Sequence, residues 1–244
     1  MCRDLFKSWL VEKYIAHRGL HTETEPENSL GAIKNAIDCN LPIEIDVHEI
    51  ADGTLVVFHD KSLQRVTGQD GYIKNLKKED LPNHKILGTE YSIPTLTEVI
   101  NLVDGKVPIL FELKNEGKVG SLEKSFWEIV KNYQGDYAIQ SFNPFTLEWF
   151  KNHAPEVVRG QLSSFFKNQN FSFFKRLFLK KMSFNKKISQ PHFISYKVED
   201  LPNRYVKKFK NLPLLAWTVK SQEEYMRVLK YCDNIIFEGF EPRI

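Results

Sequence analysis

Two carboxylates share one face of a short apolar segment early in the chain. From residue 42 to residue 47, apolar side chains alternate with Glu44 and Asp46, which predicts a strand that carries both acids on the same side. Carboxylate oxygens are the ligands that a hard divalent cation such as Mg²⁺ or Ca²⁺ prefers. These residues therefore favour the binding of one divalent cation.

A histidine is expected to join these acids through a hairpin. Asp52-Gly53 is typical of a tight turn, because this dipeptide tolerates the positive φ that such a turn needs. The segment 54–59 is then the returning strand, and pairing about the turn places His59 opposite Asp46. A histidine beside a cation site can transfer protons near neutral pH.

Two further apolar segments carry residues of the same kinds. His17 and Arg18 end one of them, and Glu112 and Lys114 stand two residues apart at the end of another. A polar strand face is usually just solvated, and Glu112 with Lys114 could be a surface ion pair. However, acids and histidines at the ends of several apolar strands are costly in a core that does not use them. We therefore interpret these residues as parts of one functional site.

Short motifs surround these residues and cover nearly the whole chain. They are AHRG (16–19), PENS (26–29), EIDV (44–47), ADGTLVVFHD (51–60), HDKSLQRVTGQDG (59–71), IPTLTEV (93–99), LFELK (110–114), SFNPFTL (141–147) and AWTV (216–219). Any one motif is weak, but their order and spacing are specific. Together they resemble the glycerophosphodiester phosphodiesterase family, which is related to the bacterial phosphoinositide-type phospholipases C.

The resemblance implies metal-assisted hydrolysis of a glycerophosphodiester to glycerol 3-phosphate and an alcohol. The cofactor would be one divalent cation, Mg²⁺ or Ca²⁺, held by Glu44, Asp46 and Glu112. His17 and His59 would divide the proton transfers. The relation to the phospholipases favours His17 as the base and His59 as the acid.

Other residues of the motifs are expected to bind the substrate. Arg18 and Lys114 would hold the phosphate, since a guanidinium and an ammonium both pair with phosphate oxygens. Glu27 and Asn28, in the loop before a helix, would steady the substrate-binding site. The family keeps a tryptophan at the barrel mouth beside the substrate, which here is Trp217, although a tryptophan of the core is the competing interpretation.

The chain departs from the family pattern near its end. The family usually has a Thr-Asp-Tyr-Pro-like run where this chain reads IIFEG (235–239). Glu238 could stand in for the missing acid at the glycerol end of the pocket.

Length and patterning predict an α/β fold, a single (β/α)8 TIM barrel over residues 1–244, because apolar runs alternate with helical patterns. The candidate strands are 14–18, 42–47, 54–59, 108–113, 137–142, 157–162, 193–197, 213–219 and 234–238. These are nine segments for eight barrel strands, so 54–59 is assigned as an antiparallel hairpin return. The polar segment 60–94 is a small insertion, which the resemblance places over the active-site face.

Three helices carry start signals. A helix over residues 28–40 begins near Asn28 or Ser29. Thr95 and Glu98 fit a capping box at the start of the next. Asn143-Pro144 begins a third helix, which continues to residue 153.

Composition favours a globular protein of the cytoplasm. Hydrophobic residues make up 42% and charged residues 27% of the chain, unlike a disordered or membrane-spanning sequence. The three scattered cysteines form no CxxC pair, which fits a reducing compartment and argues against zinc or a disulfide framework. The first residues are charged and lack an apolar core, so no secretory signal is expected.

Positive charge is concentrated in one part of the chain. Residues 157–198 contain nine Lys and Arg and no Asp or Glu, although the whole chain carries only +3, so the remainder carries −6. Within this part, residues 171–188 read as a helix with aromatic residues on one half and most lysines opposite. This helix is either an ordinary outer helix of the barrel or a basic aromatic surface in weak peripheral contact with anionic lipid.

Three other functions compete with hydrolysis of a soluble glycerophosphodiester. A lysophospholipase D would use the same site on lipid substrates. A non-catalytic phosphodiester-binding barrel would not need two histidines. A glycosidase also uses paired carboxylates, but Arg18 and Lys114 beside them favour phosphate. We expect a small-molecule partner and no nucleic acid, and the sequence does not define the oligomeric state.

Overall fold

The computed structural model describes residues 4–115, 117–167, 171–182, 185 and 187–243. Within these residues the nine strands are β1 (Ile15–His17), β2 (Ile43–Glu49), β3 (Leu55–Val57), β4 (Ile109–Leu113), β5 (Tyr137–Ser141), β6 (Arg159–Ser163), β7 (Phe193–Lys197), β8 (Leu214–Val219) and β9 (Asn234–Phe237). The α-helices are α1 (Trp9–Glu12), α2 (Leu30–Asp38), α3 (Gln64–Thr67), α4 (Leu96–Val103), α5 (Ser121–Val130), α6 (Pro144–His153), α7 (Phe173–Lys181) and α8 (Gln222–Val228). Each strand lies at the place that the apolar runs predict.

Residues 16–137 form one compact unit. In it, β2 pairs in parallel with β1 on one side and β4 on the other, and its end pairs antiparallel with β3. The register sets His17 beside Glu44 and Asp46 beside Glu112. The pairing of these strands therefore brings together ionisable residues that are far apart in the sequence.

Residues 1–15 and 138–244 form the second compact unit. Its strands β5 to β9 each pair in parallel with the next. Apolar side chains of these strands are fully or almost fully buried, among them Ile139, Leu162, Phe193, Leu215 and Ile235. Strands buried on both faces read as continuous apolar runs, which is why the sequence locates them well.

The strand order identifies the fold class. It is β1-β9-β8-β7-β6-β5-β4-β2-β3, and β1 pairs in addition with β2. The order of the eight parallel strands therefore closes on itself, with helices between the strands, which is the topology of a (β/α)8 barrel. The predicted fold class is confirmed, whereas the assignment of residues 1–244 to a single domain stays a prediction. In the part of the chain that is described, no helix has the length and apolar character needed to cross a membrane.

The hairpin after β2 corrects one prediction. The backbone N–H of Phe58 donates to the carbonyl of Asp46 at 3.0 Å, so Phe58 rather than His59 lies opposite Asp46, and β3 ends before His59. The cause is the length of the turn. Residues 51–53 form a three-residue loop in which Gly53 adopts φ +84°, as is usual for such loops, and this shifts the pairing by one residue.

The inserted segment 60–94 has a small hydrophobic core of its own. It contains α3 and two short 3-10 helices, Ile73–Asn75 and Lys78–Asn83. The buried residues of this core are Leu63, Val66, Ile73, Leu81, Ile86 and Ile93, which pack with Ile50, Val56 and Phe58 of the hairpin. Apolar packing therefore fixes the insertion to the hairpin that carries His59.

All three predicted helix starts are confirmed, and the first helix is shorter than predicted. Thr95 and Glu98 form a capping box at the start of α4, and the side chain of Asn143 accepts a hydrogen bond from the N–H of residue 145 at the start of α6. The first helix spans Leu30–Asp38 rather than residues 28–40, with Ser29 as its N-cap. The residue before it, Asn28, has φ +58° and is not helical.

The basic aromatic stretch 171–188 is only partly helical. Helix α7 covers Phe173–Lys181, while Phe184, Lys186 and the side chain of Lys175 lie outside what the structure describes. The expected common apolar face is not present, because Met182 is buried at 1% exposure whereas the described phenylalanines of the helix face solvent. Met182 has φ +49°, which ends the helix and turns its side chain to a different environment.

Candidate active site

Three carboxylates lie together on β2 and β4. Oxygen atoms of Glu44, Asp46 and Glu112 all lie within 4.8 Å of one another. Glu44 and Asp46 are two residues apart on β2 and so point to the same side, and Glu112 is in register with Asp46 on β4. All three residues are buried, with 7% exposure at most. The structure thus brings together the three acids that the sequence singled out.

Their surroundings shift the pKa values of the three acids in different directions. Burial, and then the charges of Asp46 and Glu112, raise the pKa of Glu44 well above its usual range. Burial also raises the pKa of Glu112, against the opposing charge of Lys114. For Asp46 burial acts in the same direction, but the nearby cations, Lys114 foremost, outweigh it and hold the pKa of Asp46 well below its usual range. Glu44 is therefore the acid that would gain most from an added positive charge.

Two cationic side chains lie among the acids. Nζ of Lys114 is 2.9 Å from Oδ1 of Asp46 and 2.7 Å from Oε1 of Glu112, and Nε of Arg18 is 3.4 Å from Oδ2 of Asp46. Burial alone would lower the pKa of both cations, but the carboxylates around them raise it. Both side chains therefore keep their charge, as the binding of a phosphate group requires.

The donor set fits a divalent cation. Three carboxylates, from Glu44, Asp46 and Glu112, are gathered with two cationic side chains, from Arg18 and Lys114, so the fully ionised cluster carries a net negative charge. All three candidate ligands offer oxygen, the donor that Mg²⁺ and Ca²⁺ prefer. A cation of charge +2 would also oppose the burial and the repulsion that raise the pKa of Glu44.

The loop after β1 requires glycine at one position. Gly19 has φ +80°, and a Cβ there would lie 2.8 Å from the backbone carbonyl carbon of Ala32 in α2. Arg18 also has a positive φ, +58°, which costs a residue with a side chain about 1–3 kcal/mol unless its surroundings hold it. The N–H of Asn28 donates to the Arg18 carbonyl at 2.9 Å. The AHRG and PENS motifs are therefore joined by a backbone hydrogen bond that fixes Arg18 beside the acids.

Asn28 also connects this loop to the acid cluster through its side chain. Its Nδ2 donates to Oδ2 of Asp46 at 3.0 Å, and its Oδ1 accepts from the Asp46 N–H at 3.4 Å. Asn28 is 1% exposed, and its φ of +58° is one that asparagine tolerates better than most residues. Asn28 therefore orients the Asp46 carboxylate.

The two predicted catalytic histidines each lie beside a carboxylate. Nε2 of His17 is 3.9 Å from Oε2 of Glu44, and Nδ1 of His59 is 2.6 Å from Oδ1 of Asp60. The pKa of His59 is lowered to about 4, mainly by burial. The charges of Lys114 and Arg18 also lower this pKa, and the carboxylates of Asp46 and Asp60 raise it by less. Because Asp60 engages Nδ1 of His59, proton exchange with a substrate falls to Nε2.

Arg65 connects the acid beside His59 with the acid beside Arg18. It lies in the motif at 59–71, but nothing in the sequence singles it out as a site residue. Its Nε donates to Asp60 at 2.6 Å and its NH1 to Glu27 at 2.7 Å. Glu27 in turn accepts from NH1 of Arg18 at 2.6 Å. Burial alone would raise the pKa of both acids, but Arg65 and Arg18 lower the pKa of Glu27. Arg65 and His59 lower the pKa of Asp60 to about 2. Arg65 thus connects the insertion to both the histidine and the arginine of the site.

Trp217 and Glu238 belong to the other compact unit. Trp217 lies on β8 and its ring contacts Phe142 edge-on, with centroids 5.6 Å apart. Its indole Nε1 is buried and has no hydrogen-bond partner among the described residues. Oε1 of Glu238 is 2.5 Å from Nζ of Lys220. The substrate-binding roles expected of both residues stay predictions.

The arrangement suits chemistry on a phosphodiester better than on a sugar. Lys114 bridges Asp46 and Glu112 and Arg18 lies beside Asp46, whereas a glycosidase needs only a pair of carboxyl groups and no cations between them. Buried cations beside oxygen ligands suit an anionic group, and two histidines at the edge of the cluster can exchange protons. These groups together can bind and cleave a phosphate ester.

The family comparison agrees with this chemistry. The model of the glycerophosphoryl diester phosphodiesterase family matches residues 17–237, nearly the whole chain. A glycerophosphodiester phosphodiesterase of Caldanaerobacter subterraneus subsp. tengcongensis is 33% identical over 164 residues, which are 61% of this chain and 65% of that protein. Human lysophospholipase D GDPD1 is 31% identical over 144 residues, 54% of this chain and 45% of its own length.

A solved structure supports the fold. A phosphodiesterase of Oleispira antarctica, in complex with its product sn-glycerol 3-phosphate, superimposes with a TM-score of 0.75 and covers 93% of each chain. Its sequence identity to this chain is 23%, so the similarity supports the barrel fold but not the details of the site.

Proposed function

This chain belongs to the glycerophosphoryl diester phosphodiesterase family, and we propose that it hydrolyses glycerophosphodiesters to sn-glycerol 3-phosphate and an alcohol with the help of one divalent cation, Mg²⁺ or Ca²⁺. The observation that carries the proposal is the buried cluster of Glu44, Asp46 and Glu112 with Arg18 and Lys114 among its acids. The substrate is a small molecule, and a cytoplasmic location remains a prediction from composition.

The acids of the cluster would hold the cation. Glu44, Asp46 and Glu112 supply the oxygen ligands, and Asn28 keeps the Asp46 carboxylate in its orientation through the hydrogen bond at 3.0 Å. When bound, the cation would supply Lewis acidity to a phosphoryl oxygen and to the nucleophilic hydroxyl.

The cations of the chain would bind the phosphodiester group. Arg18 presents a planar guanidinium that Glu27 holds at 2.6 Å, and Lys114 presents an ammonium from the end of β4. Both are largely screened from solvent, with side-chain exposures of 14% and 13%, so a phosphate oxygen would meet them in a site with little water. The insertion 60–94 would cover this face of the site, since Arg65 connects it to Glu27.

The two histidines would carry the protons. We assign His17 as the base that takes a proton from the water whose oxygen attacks phosphorus, and His59 as the acid that protonates the alcohol as its bond to phosphorus breaks. In the free protein the low pKa of His59, about 4, keeps it neutral near pH 7. It must therefore acquire its proton in the substrate complex, where Asp60, 2.6 Å from Nδ1, provides the opposite charge.

A second candidate is a lysophospholipase D reaction at the same site. It is favoured by the exposed phenylalanines of α7, since Phe173 and Phe174 are 70% and 79% exposed. Such rings could bring the protein to a lipid surface where lysophospholipids reside.

A substrate panel separates the two candidates. We expect the purified protein to turn over glycerophosphocholine, glycerophosphoethanolamine and glycerophosphoglycerol with a kcat/KM above that for lysophosphatidylcholine. The His17→Ala variant, purified in the same way, serves as the control for contaminating activity. Turnover of lysophosphatidylcholine alone would establish the second candidate instead, and no turnover of any compound above the His17→Ala background would mean a binding protein.

A further inference from the structure

Three phenylalanine rings project from one short helix into solvent. On α7, Phe173, Phe174 and Phe178 are 70%, 79% and 47% exposed. The first two rings pack edge-to-face, with centroids 5.7 Å apart, so they form one apolar surface rather than isolated side chains. A contiguous apolar cluster on a solvent-exposed surface usually marks an interaction site.

The end of the same helix is held to the sheet by polar contacts. Ser163 of β6 donates to the carbonyl of Leu179, and Tyr196 of β7 donates to that of Lys180, both at 3.2 Å. Met182, directly after the helix, is buried. The helix is thus anchored at its C-terminal end, while the phenylalanines lie outside the core that an ordinary barrel helix would cover.

The part of the chain that contains the helix carries mostly positive charge. Residues 157–222 contain fourteen Lys and Arg but only two acids, Glu199 and Asp200. Both acids already pair with lysines, since Lys197 lies 3.3 Å from Glu199 and Lys167 lies 3.5 Å from Asp200. This stretch of the sequence is therefore strongly basic.

A second segment adds its cations to those of the helix. Nζ of Lys180 lies 5.8 Å from the centre of the Tyr205 ring, and the guanidinium of Arg204 lies 5.3 Å from the same ring. Lys207 and Lys208 follow on a 3-10 helix, Val206–Phe209, and are exposed. We call the phenylalanines of α7 and these cations the aromatic-basic surface.

We propose that the aromatic-basic surface docks this protein on an anionic lipid bilayer. Exposed aromatic rings beside lysines suit a bilayer because the rings enter the boundary of the acyl chains while the cations meet lipid phosphates. A nucleic acid would also satisfy the cations, but Phe173 and Phe174 pack edge-to-face, so the edge of one ring occupies a face of the other on which a base would stack. The proposal does not depend on the proposed reaction, because docking needs none of the site residues.

Vesicle sedimentation tests the docking. The wild-type protein is expected to sediment with vesicles of phosphatidylcholine and phosphatidylglycerol, to stay in solution with pure phosphatidylcholine, and to dissociate as salt rises. Lys207→Glu with Lys208→Glu is expected to lower partitioning at least about 20-fold, since each basic residue contributes roughly fivefold. Phe173→Ser with Phe174→Ser is expected to lower it roughly tenfold or more.

Matched variants show whether the effect belongs to this surface. Lys118→Glu with Lys124→Glu changes the net charge by the same amount at exposed positions, and Met226→Ser removes an apolar side chain that is 57% exposed. Both, and also His17→Ala, are expected to sediment like the wild type. Circular dichroism and thermal unfolding identify any variant that fails to fold.

Several results would overturn the docking. One is no sedimentation of the wild type with anionic vesicles at low salt. Another is equal loss in the Lys118→Glu, Lys124→Glu control, which would mean a non-specific charge effect. A third is displacement from anionic vesicles by a single-stranded oligonucleotide at equimolar phosphate, which would make the surface a nucleic-acid site.

Discussion

Replacing His17 or His59 with alanine is expected to lower kcat by on the order of 10²–10⁴, the usual contribution of general acid–base catalysis. Each histidine lies beside a carboxylate of the site, where it can exchange a proton with the substrate. His17 is 3.9 Å from Glu44, and His59 is 2.6 Å from Asp60. Steady-state kinetics on a glycerophosphodiester measures the effect. Both variants should bind the substrate with little change, because Arg18 and Lys114 are retained.

The leaving group separates the two roles. An aryl phosphodiester releases a phenolate that needs no proton, so the His59→Ala variant should recover most of its rate on such a substrate while His17→Ala should not. Recovery in His17→Ala instead would reverse the assignment of base and acid. Recovery in neither would mean that His59 does not protonate the leaving group.

Removing a charge from the acid cluster is expected to have the second large effect. Glu44→Gln, Asp46→Asn and Glu112→Gln should each weaken the binding of the divalent cation and lower turnover by at least about 100-fold, which exceeds the usual effect of a residue that only orients a ligand. Asn28→Ala is the comparison, because Asn28 touches Asp46 without being a candidate ligand. It should lose about 10–100-fold.

Cation binding can be measured without substrate. Calorimetric titration of the metal-free variants with Mg²⁺ and with Ca²⁺ reports affinity directly. Thermal unfolding without metal is the control for folding, and Glu44→Gln should unfold no earlier than the wild type, since burial and neighbouring acids raise the pKa of Glu44 and disfavour its charge. Wild-type affinity in all three variants would exclude these carboxylates as ligands.

The sequence predicts the strands well because most of them contain a short apolar run, and it predicts the gathering of the acids because Glu44 and Asp46 share one face of β2. It misplaces the hairpin register by one residue. The reason is that Asp52-Gly53 is compatible with either a two-residue or a three-residue loop, and only the hydrogen bond from Phe58 to Asp46 distinguishes them. The histidine still reaches the cluster, since it follows the strand in a loop.

Long-range contacts are the part of the site that the sequence does not reveal. Arg65 reads as one cation in a polar insertion, yet it binds Glu27, 38 residues earlier in the chain. Likewise α7 reads as an amphipathic helix, but which of its apolar residues face the core depends on how its end is anchored. The helical periodicity of the sequence predicts that Met182 and Phe178 share one surface, whereas only Phe178 is exposed.

The most direct test follows one reaction with and without a chelator. Wild-type protein is freed of metal, its metal content is verified, and it is incubated with glycerophosphocholine while phosphorus NMR records the products. With Mg²⁺ or Ca²⁺ restored, we expect conversion of the diester signal to that of sn-glycerol 3-phosphate, and no conversion while the chelator is in excess. Full conversion by the verified metal-free protein, or release of a phosphorus product other than glycerol 3-phosphate, would contradict it.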